Sequence, residues 1–169
     1  MLRDDYSMAD PPQPGDYLVR NVMGFVAASG ALAVGDVVAA RRRLRFHVRD
    51  RDSAAEDLRT MLSRYALAKQ FSKGAGAPPP MAAVLVQCVG RGERLFGCPD
   101  HDSSVFSGQF DVPLGGFFAN GEIAPTGCCG FEDAAETPTH LHGFTSAYGL
   151  LVDTTETERD GRAAASPSS

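Results

Sequence analysis

The chain has no tryptophan and no uninterrupted apolar run near the ~18 residues that a membrane-crossing helix needs. A spanning helix is therefore excluded. A basic excess is also missing: 16 Lys and Arg stand against 21 Asp and Glu, for a net charge of −5. Phosphate backbones are bound through a strong positive footprint, so nucleic acid is not an expected partner. Arg41, Arg42, Arg43, Arg45 and Arg49 do cluster. They read as a solvated sheet face or turn, with a patch for an acidic partner as the sharper alternative. The opening residues MLRDDYSMADPP hold acids and no apolar core, so neither a secretory signal nor a typical transit peptide is expected. A cytoplasmic location is therefore expected, and with it reduced thiols. Cysteine is scarce, at Cys88, Cys98, Cys128 and Cys129, and the adjacent pair is poorly disposed to bridge itself.

What is present suits one domain with a real core in 169 residues. Residues 1–15 are polar and carry Pro11, Pro12 and Pro14, which reads as a flexible arm. Residues 153–169 are small, polar and charged, and bury too little apolar area to offset the entropy of ordering. The folded part is expected over 16–152. Within it Tyr17–Arg20, Val22–Val26 and Ala31–Asp36 read as strands or strand ends. The alternation of Leu44, Phe46 and Val48 with Arg43, Arg45, His47 and Arg49 predicts a strand with one face on a core. A helix follows: Ser53 and Glu56 fit a capping box, and Leu58, Met61, Leu62 and Tyr65 recur at helical spacing. It is expected to fade near Phe71, before a glycine- and proline-rich linker over 73–80. Ala82–Val89 is nearly all apolar and predicts a strand covered on both faces. Further strands are expected within 110–123 and 141–152. The fold class is α+β, a largely antiparallel sheet with one main amphipathic helix packed on it.

Two motifs stand out late in the chain, Pro113-Leu114-Gly115-Gly116-Phe117-Phe118-Ala119-Asn120-Gly121-Glu122-Ile123 and Leu141-His142-Gly143-Phe144-Thr145-Ser146. Upstream are Cys88-Val89-Gly90-Arg91-Gly92 with Leu95-Phe96-Gly97, then Leu18–Asn21, Ala31–Asp36 and Phe46–Asp50. Taken in this order, over roughly 16–152, the set resembles the C-terminal domain of the FIST sensory family. The resemblance implies a signal-transduction module for small ligands, amino acids or related metabolites. It also implies partners: a FIST N-terminal domain, or an F-box ubiquitin-ligase setting in which the domain is a protein-interaction scaffold that recruits substrates. The stretch between Ile123 and Leu141, with Cys128, Cys129, Glu132, Asp133 and Glu136, departs from the family pattern and looks like an insertion.

The candidate ligand-binding residues are Arg91, Gly115, Gly116, Phe117, Phe118, Asn120, Glu122 and His142. Arg91 is suited to a carboxylate held in bidentate fashion and Glu122 to an ammonium, and an amino acid offers both. Phe117, Phe118 and Phe144 are expected to line the pocket. The plain alternative for the glycine pairs is a kinked strand closing in an Asn120-Gly121 hairpin turn. His140 and His142 share a strand face. Cys98-x2-His101 is only half of a zinc pairing, so no metal is expected. Cys88 reads as a buried small hydrophobe rather than a nucleophile. Gly90, Gly92 and Gly97 miss the dinucleotide spacing, Pro99 interrupts the helix such a site needs, and no Walker A sequence is present. No cofactor and no enzymatic activity are expected.

Overall fold

The computed structural model describes residues 2–3, 17–40, 43–71, 79–125 and 139–153. Outside the described residues lie Arg41 and Arg42, most of the expected arm and tail, residues 72–78 with most of the linker expected over 73–80, and the segment with Cys128, Cys129, Glu132, Asp133 and Glu136. Pro80, at the end of that expected linker, is already the first residue of a strand. Strand β1 (Leu2–Arg3) pairs antiparallel with β4 (Arg43–Leu44). Between them in sequence, β2 (Val22–Val26) and β3 (Ala31–Val34) form a separate antiparallel pair. Helix α1 (Arg51–Phe71) follows, then β5 (Pro80–Cys88), a 3-10 turn at Val89–Arg91, α2 (Glu93–Phe96) and α3 (His101–Ser107). Strands β6 (Leu114–Ala119), β7 (Glu122–Pro125), β8 (Thr139–His142) and β9 (Ser146–Val152) complete the described chain.

The central sheet has the order β6-β5-β9, with β5–β6 parallel and β5–β9 antiparallel. The other pairings among the described residues are all antiparallel, so the α+β expectation holds with one parallel pair added. A parallel pair needs a crossover, and the two short helices supply it. They were not expected from sequence, where Pro99 and four glycines over 90–108 hid them.

Leu58 and Leu62 of α1, Ala83 of β5 and Phe106 of α3 form the buried core, with Val105, Phe110, Val112, Leu114, Tyr148 and Leu150 packed around it. Both α1 and α3 thus lie on the sheet face that carries Ala83, Leu85 and Gln87. Phe106 stacks on Tyr148 at 5.1 Å and against Phe110 at 4.9 Å. The helical spacing of Leu58, Leu62 and Tyr65 is realised, and the helix ends at Phe71 as expected.

Three details differ from the sequence reading. Asp50, not Ser53, caps α1: its Oδ1 accepts the amides of Asp52 and Ser53 at 3.0 Å, and Ser53 Oγ donates to its Oδ2. The 44–48 alternation yields only the two-residue β4; Phe46 and Val48 are 72% and 92% exposed, so neither face meets a core. Alternation specifies a strand only when a neighbouring strand takes up its hydrogen bonds, and β4 finds two residues of one. Lastly, β5 is covered on one face only. Ala82, Val84 and Val86 point the other way with their cross-strand neighbours Gly115, Phe117, Ala147, Gly149 and Leu151, and Val84, Phe117 and Leu151 stay exposed.

Candidate functional site

The 3-10 turn that opens the crossover between β5 and β6 ends at Arg91, buried at 7% exposure, and Asp102 in the first turn of α3 is fully buried. A charge is retained at such depth only when it is paired and its remaining hydrogen-bonding capacity is filled. Here it is. Arg91 Nε donates to Asp102 Oδ2 at 2.7 Å and its Nη2 to Oδ1 at 3.2 Å. Gln87 Nε2 and Ser146 Oγ add donations to Oδ2 at 3.0 and 2.5 Å, and His101 Nδ1 lies 2.8 Å from Oδ1. Gln87 also donates to the Arg91 carbonyl, and the Tyr148 hydroxyl to the Asp102 carbonyl at 3.1 Å. One carboxylate thus ties β5, the crossover, α3 and β9 together.

Its electrostatics follow from those contacts. Burial pushes the Asp102 carboxyl up and is the largest influence. Donation from Arg91 and Ser146, the Arg91 charge and His101 together outweigh it and leave the carboxyl below its ordinary value. Tyr148 moves the opposite way: burial, then the Asp102 charge, hold its phenol protonated well above the usual range.

The hub opens on one side. His101 stacks on Phe96 with ring centroids 3.7 Å apart and planes 6° apart, and the Arg91 guanidinium lies 5.3 Å from the Phe96 ring. Phe96 and His101 form one wall of a cleft of about 670 Å³ whose other wall is the start of α1, with Arg51, Asp52, Glu56 and Arg59. Arg51 pairs with Asp52 at 3.0 Å and Arg59 with Glu56 at 3.8 Å. The cleft offers both signs of charge beside an aromatic stack.

A second cluster sits where β7, β8 and β9 meet. Glu122 is fully buried, with Gly121 and Thr145 amides each donating to it at 3.3 Å. Phe144 beside it adopts φ 67°, rare for an aromatic residue, and the Arg49 guanidinium covers its ring at 4.7 Å. Arg49 also donates to the Gly90 carbonyl and so clasps the two clusters to each other.

The sequence candidates divide between these places. Arg91 does hold a carboxylate in bidentate fashion, and it belongs to Asp102. Glu122 is enclosed by backbone amides. His142 pairs in register with Glu122, and its Nε2 donates to the Ala124 carbonyl at 2.7 Å. Gly115, Gly116, Phe117 and Phe118 lie along the exposed strand β6, with Phe117 62% and Phe118 57% accessible, and Asn120 follows just after it. Asn120-Gly121 is not a hairpin: β6 joins β5 and β7 joins β8, so the pair makes a corner between two sheets, with Gly121 at φ 119°. His140 and His142 share a face of β8 as expected, their rings 6.2 Å apart. Cys88 is buried and Cys98 exposed, both free, and no group of three metal-capable side chains occurs among the described residues. The sequence reading missed Asp102, Gln87, Ser146 and Tyr148, and it weighed His101 only as half of a zinc pair. The adjacent His-Asp after Pro99-Asp100, downstream of Arg91, was the one available signal.

The FIST C domain family model matches residues 3–125. The chain is 38% identical over 151 residues to the uncharacterised protein Rv0628c of Mycobacterium tuberculosis, covering 88% of this chain and 35% of that protein. It is 37% identical over 153 residues to the uncharacterised protein Mb0898c of Mycobacterium bovis, covering 90% and 35%. The chain thus spans about a third of the length of the curated relatives it matches. No solved structure matches it.

Proposed function

Since the chain belongs to the FIST C domain family, a family of sensory signal-transduction domains, we propose that it binds a small ligand, an amino acid or related metabolite, as its sensory input. The observation that carries this reading is the cleft built on the Asp102 hub. Its wall is held by a buried bidentate ion pair and a ring stack, so it is organised before a ligand arrives. Arg91 acts in this reading as the anchor behind the wall, and Glu122 and His142 as supports of the β7–β9 corner. Binding rather than catalysis is favoured by the use of Ser146: its hydroxyl goes to Asp102, not to His101, so the imidazole does not activate this hydroxyl. A cytoplasmic setting suits the free thiols of Cys88 and Cys98. No helix among the described residues is long and apolar enough to cross a membrane.

The test is a thermal-shift screen of the full chain against amino acids and small carboxylates. A ligand that binds only the native state adds about 2.7 kcal/mol of stability at a hundredfold excess over Kd. A saturable rise in Tm with one of them supports the reading. A flat response across the whole panel, with cooperative unfolding, sinks sensing by this chain alone.

A second reading rests on a different observation, the apolar outer face of β6-β5-β9. Phe117, Val84 and Leu151 lie open there although β5 has the composition of a strand covered on both sides. In this reading a protein partner covers the face, a FIST N-terminal domain being the first choice. The mycobacterial relatives favour that prokaryotic setting over an F-box ubiquitin-ligase one. Co-purification of the full chain with a FIST N-terminal domain supplied in trans, lost on Phe117→Asp, is the expected outcome.

A further inference from the structure

Asp102 is ionised, because it accepts from Arg91, Gln87 and Ser146 and has no proton of its own to give. The short contact between its Oδ1 and His101 Nδ1 is then a hydrogen bond only if Nδ1 carries the proton. This fixes the tautomer: in the neutral ring, Nε2 is a bare acceptor. Nε2 has no hydrogen-bond partner among the described residues, and no fully buried side-chain nitrogen or oxygen there lacks one, so Nε2 is not sealed off within a side chain that is 13% exposed. His101 lines the cleft beneath α1. The ring cannot turn to hide the atom, since Asp102 holds one edge and Phe96 one face.

The rest of the lining narrows what such an acceptor meets. Two guanidinium groups and two carboxylates cancel, which disfavours a ligand with a large charge of one sign. Arg59 is the looser of the two pairs, 3.8 Å from Glu56 against 3.0 Å for Arg51 and Asp52. We propose that His101 is a ligand-binding residue that reads a hydrogen-bond donor. The ligand class is a small carboxylate bearing an amine or hydroxyl on the adjacent carbon, with that donor on His101 Nε2 and the carboxylate on Arg59. This rests on the small-ligand reading above and adds the residue and the chemical group that decide it. Asp102 is a positioning residue in this scheme; it acts through His101 and Arg91 and does not touch ligand.

The experiment uses the full chain labelled with 15N-histidine and three probes on one carbon skeleton: L-alanine, L-lactate and propionate. The free protein is expected to show His101 as the Nδ1–H tautomer. Alanine or lactate is expected to move the His101 Nε2 resonance saturably, and propionate, which lacks the donor, to bind at least about tenfold more weakly. His101→Phe keeps a ring on Phe96 and is expected to abolish the discrimination. Arg59→Ala, on an exposed helix position, is expected to weaken alanine and lactate together while the tautomer is unchanged. An Nε2–H tautomer in the free protein overturns the proposal without any ligand. So does propionate binding as well as its donor-bearing analogues, or saturable binding of alanine that leaves His101 unmoved; in the last case the sensory reading survives with another residue as reader. No binding of any probe overturns this ligand class for the cleft and leaves the wider panel to decide the sensory reading.

Discussion

At the scale of single residues, Asp102 has the largest consequences. Removing its carboxylate leaves a buried guanidinium without its counter-charge and takes a partner from Gln87, Ser146 and His101 at once. Asp102→Ala is expected to cost about 3–5 kcal/mol in denaturant melts. The pH dependence has a definite sign. The folded-state carboxyl sits below its ordinary 3.8, so its contribution is present above that value and is lost as pH falls through the lower, folded value. The wild type should therefore lose stability steeply below about pH 4, and Asp102→Asn should flatten that limb. Tyr148 gives the mirror case. Its phenol is held protonated above its ordinary 10, so its contribution is present below 10 and declines as pH rises past it. Tyr148→Phe should remove the alkaline limb, and melting curves across pH read both. From sequence, the habit of Arg91 to hold a carboxylate was legible and its partner was not. The two lie 11 residues apart across two turns, and no periodicity reports a pairing of that kind.

At the scale of elements, local chemistry was read well where it is truly local. Leu58 and Leu62 are buried because helical spacing alone sets their face. The cap was misread by one turn, since Ser53-x-x-Glu56 imitates a start that Asp50 already makes. Asp50→Ala should lower Tm more than Ser53→Ala, because only Asp50 takes two backbone amides. Strand chemistry depends on neighbours, and there the sequence was weaker. The two glycines of β6 show why. A Cβ on Gly116 would collide with the Leu85 carbonyl oxygen, whereas one on Gly115 meets nothing within 4 Å. Gly116→Ala is expected to destabilise by about 1–3 kcal/mol through the forced shift of β6 from β5, and Gly115→Ala to be tolerated, by chemical denaturation of both. The glycine pair was recognised as unusual; which of the two is indispensable depends on strand register, which only the structure supplies.

At the scale of the molecule, the described chain has one well-packed layer and two apolar surfaces in the open. Phe106, 1% exposed at the centre of the packed layer, should cost about 3–5 kcal/mol on truncation to Ala. The β2–β3 pair is exposed along nearly its whole length, Val22, Met23, Phe25 and Val26 included, and a two-stranded ribbon is marginal by itself. Its amides should exchange with deuterium far faster than those of β5, and addition of a partner that covers it should slow them selectively. The hydrophobic content of these strands was legible in the sequence. What would cover them was not, because composition reports that a strand is apolar and not which surface it meets.

The parallel pairing of β5 with β6 has a consequence in time. It obliges the chain to travel back along the sheet, and that return journey carries Arg91, Phe96, His101 and Asp102. Two of the donors to Asp102, Ser146 on its side chain and Tyr148 on its carbonyl, arrive only with β9, 44 and 46 residues later. A nascent chain lengthening from its N-terminus therefore makes the ion pair first and completes its surroundings last, after a long loop has closed. Until that closure Asp102 lacks the Ser146 and Tyr148 donors that complete its surroundings.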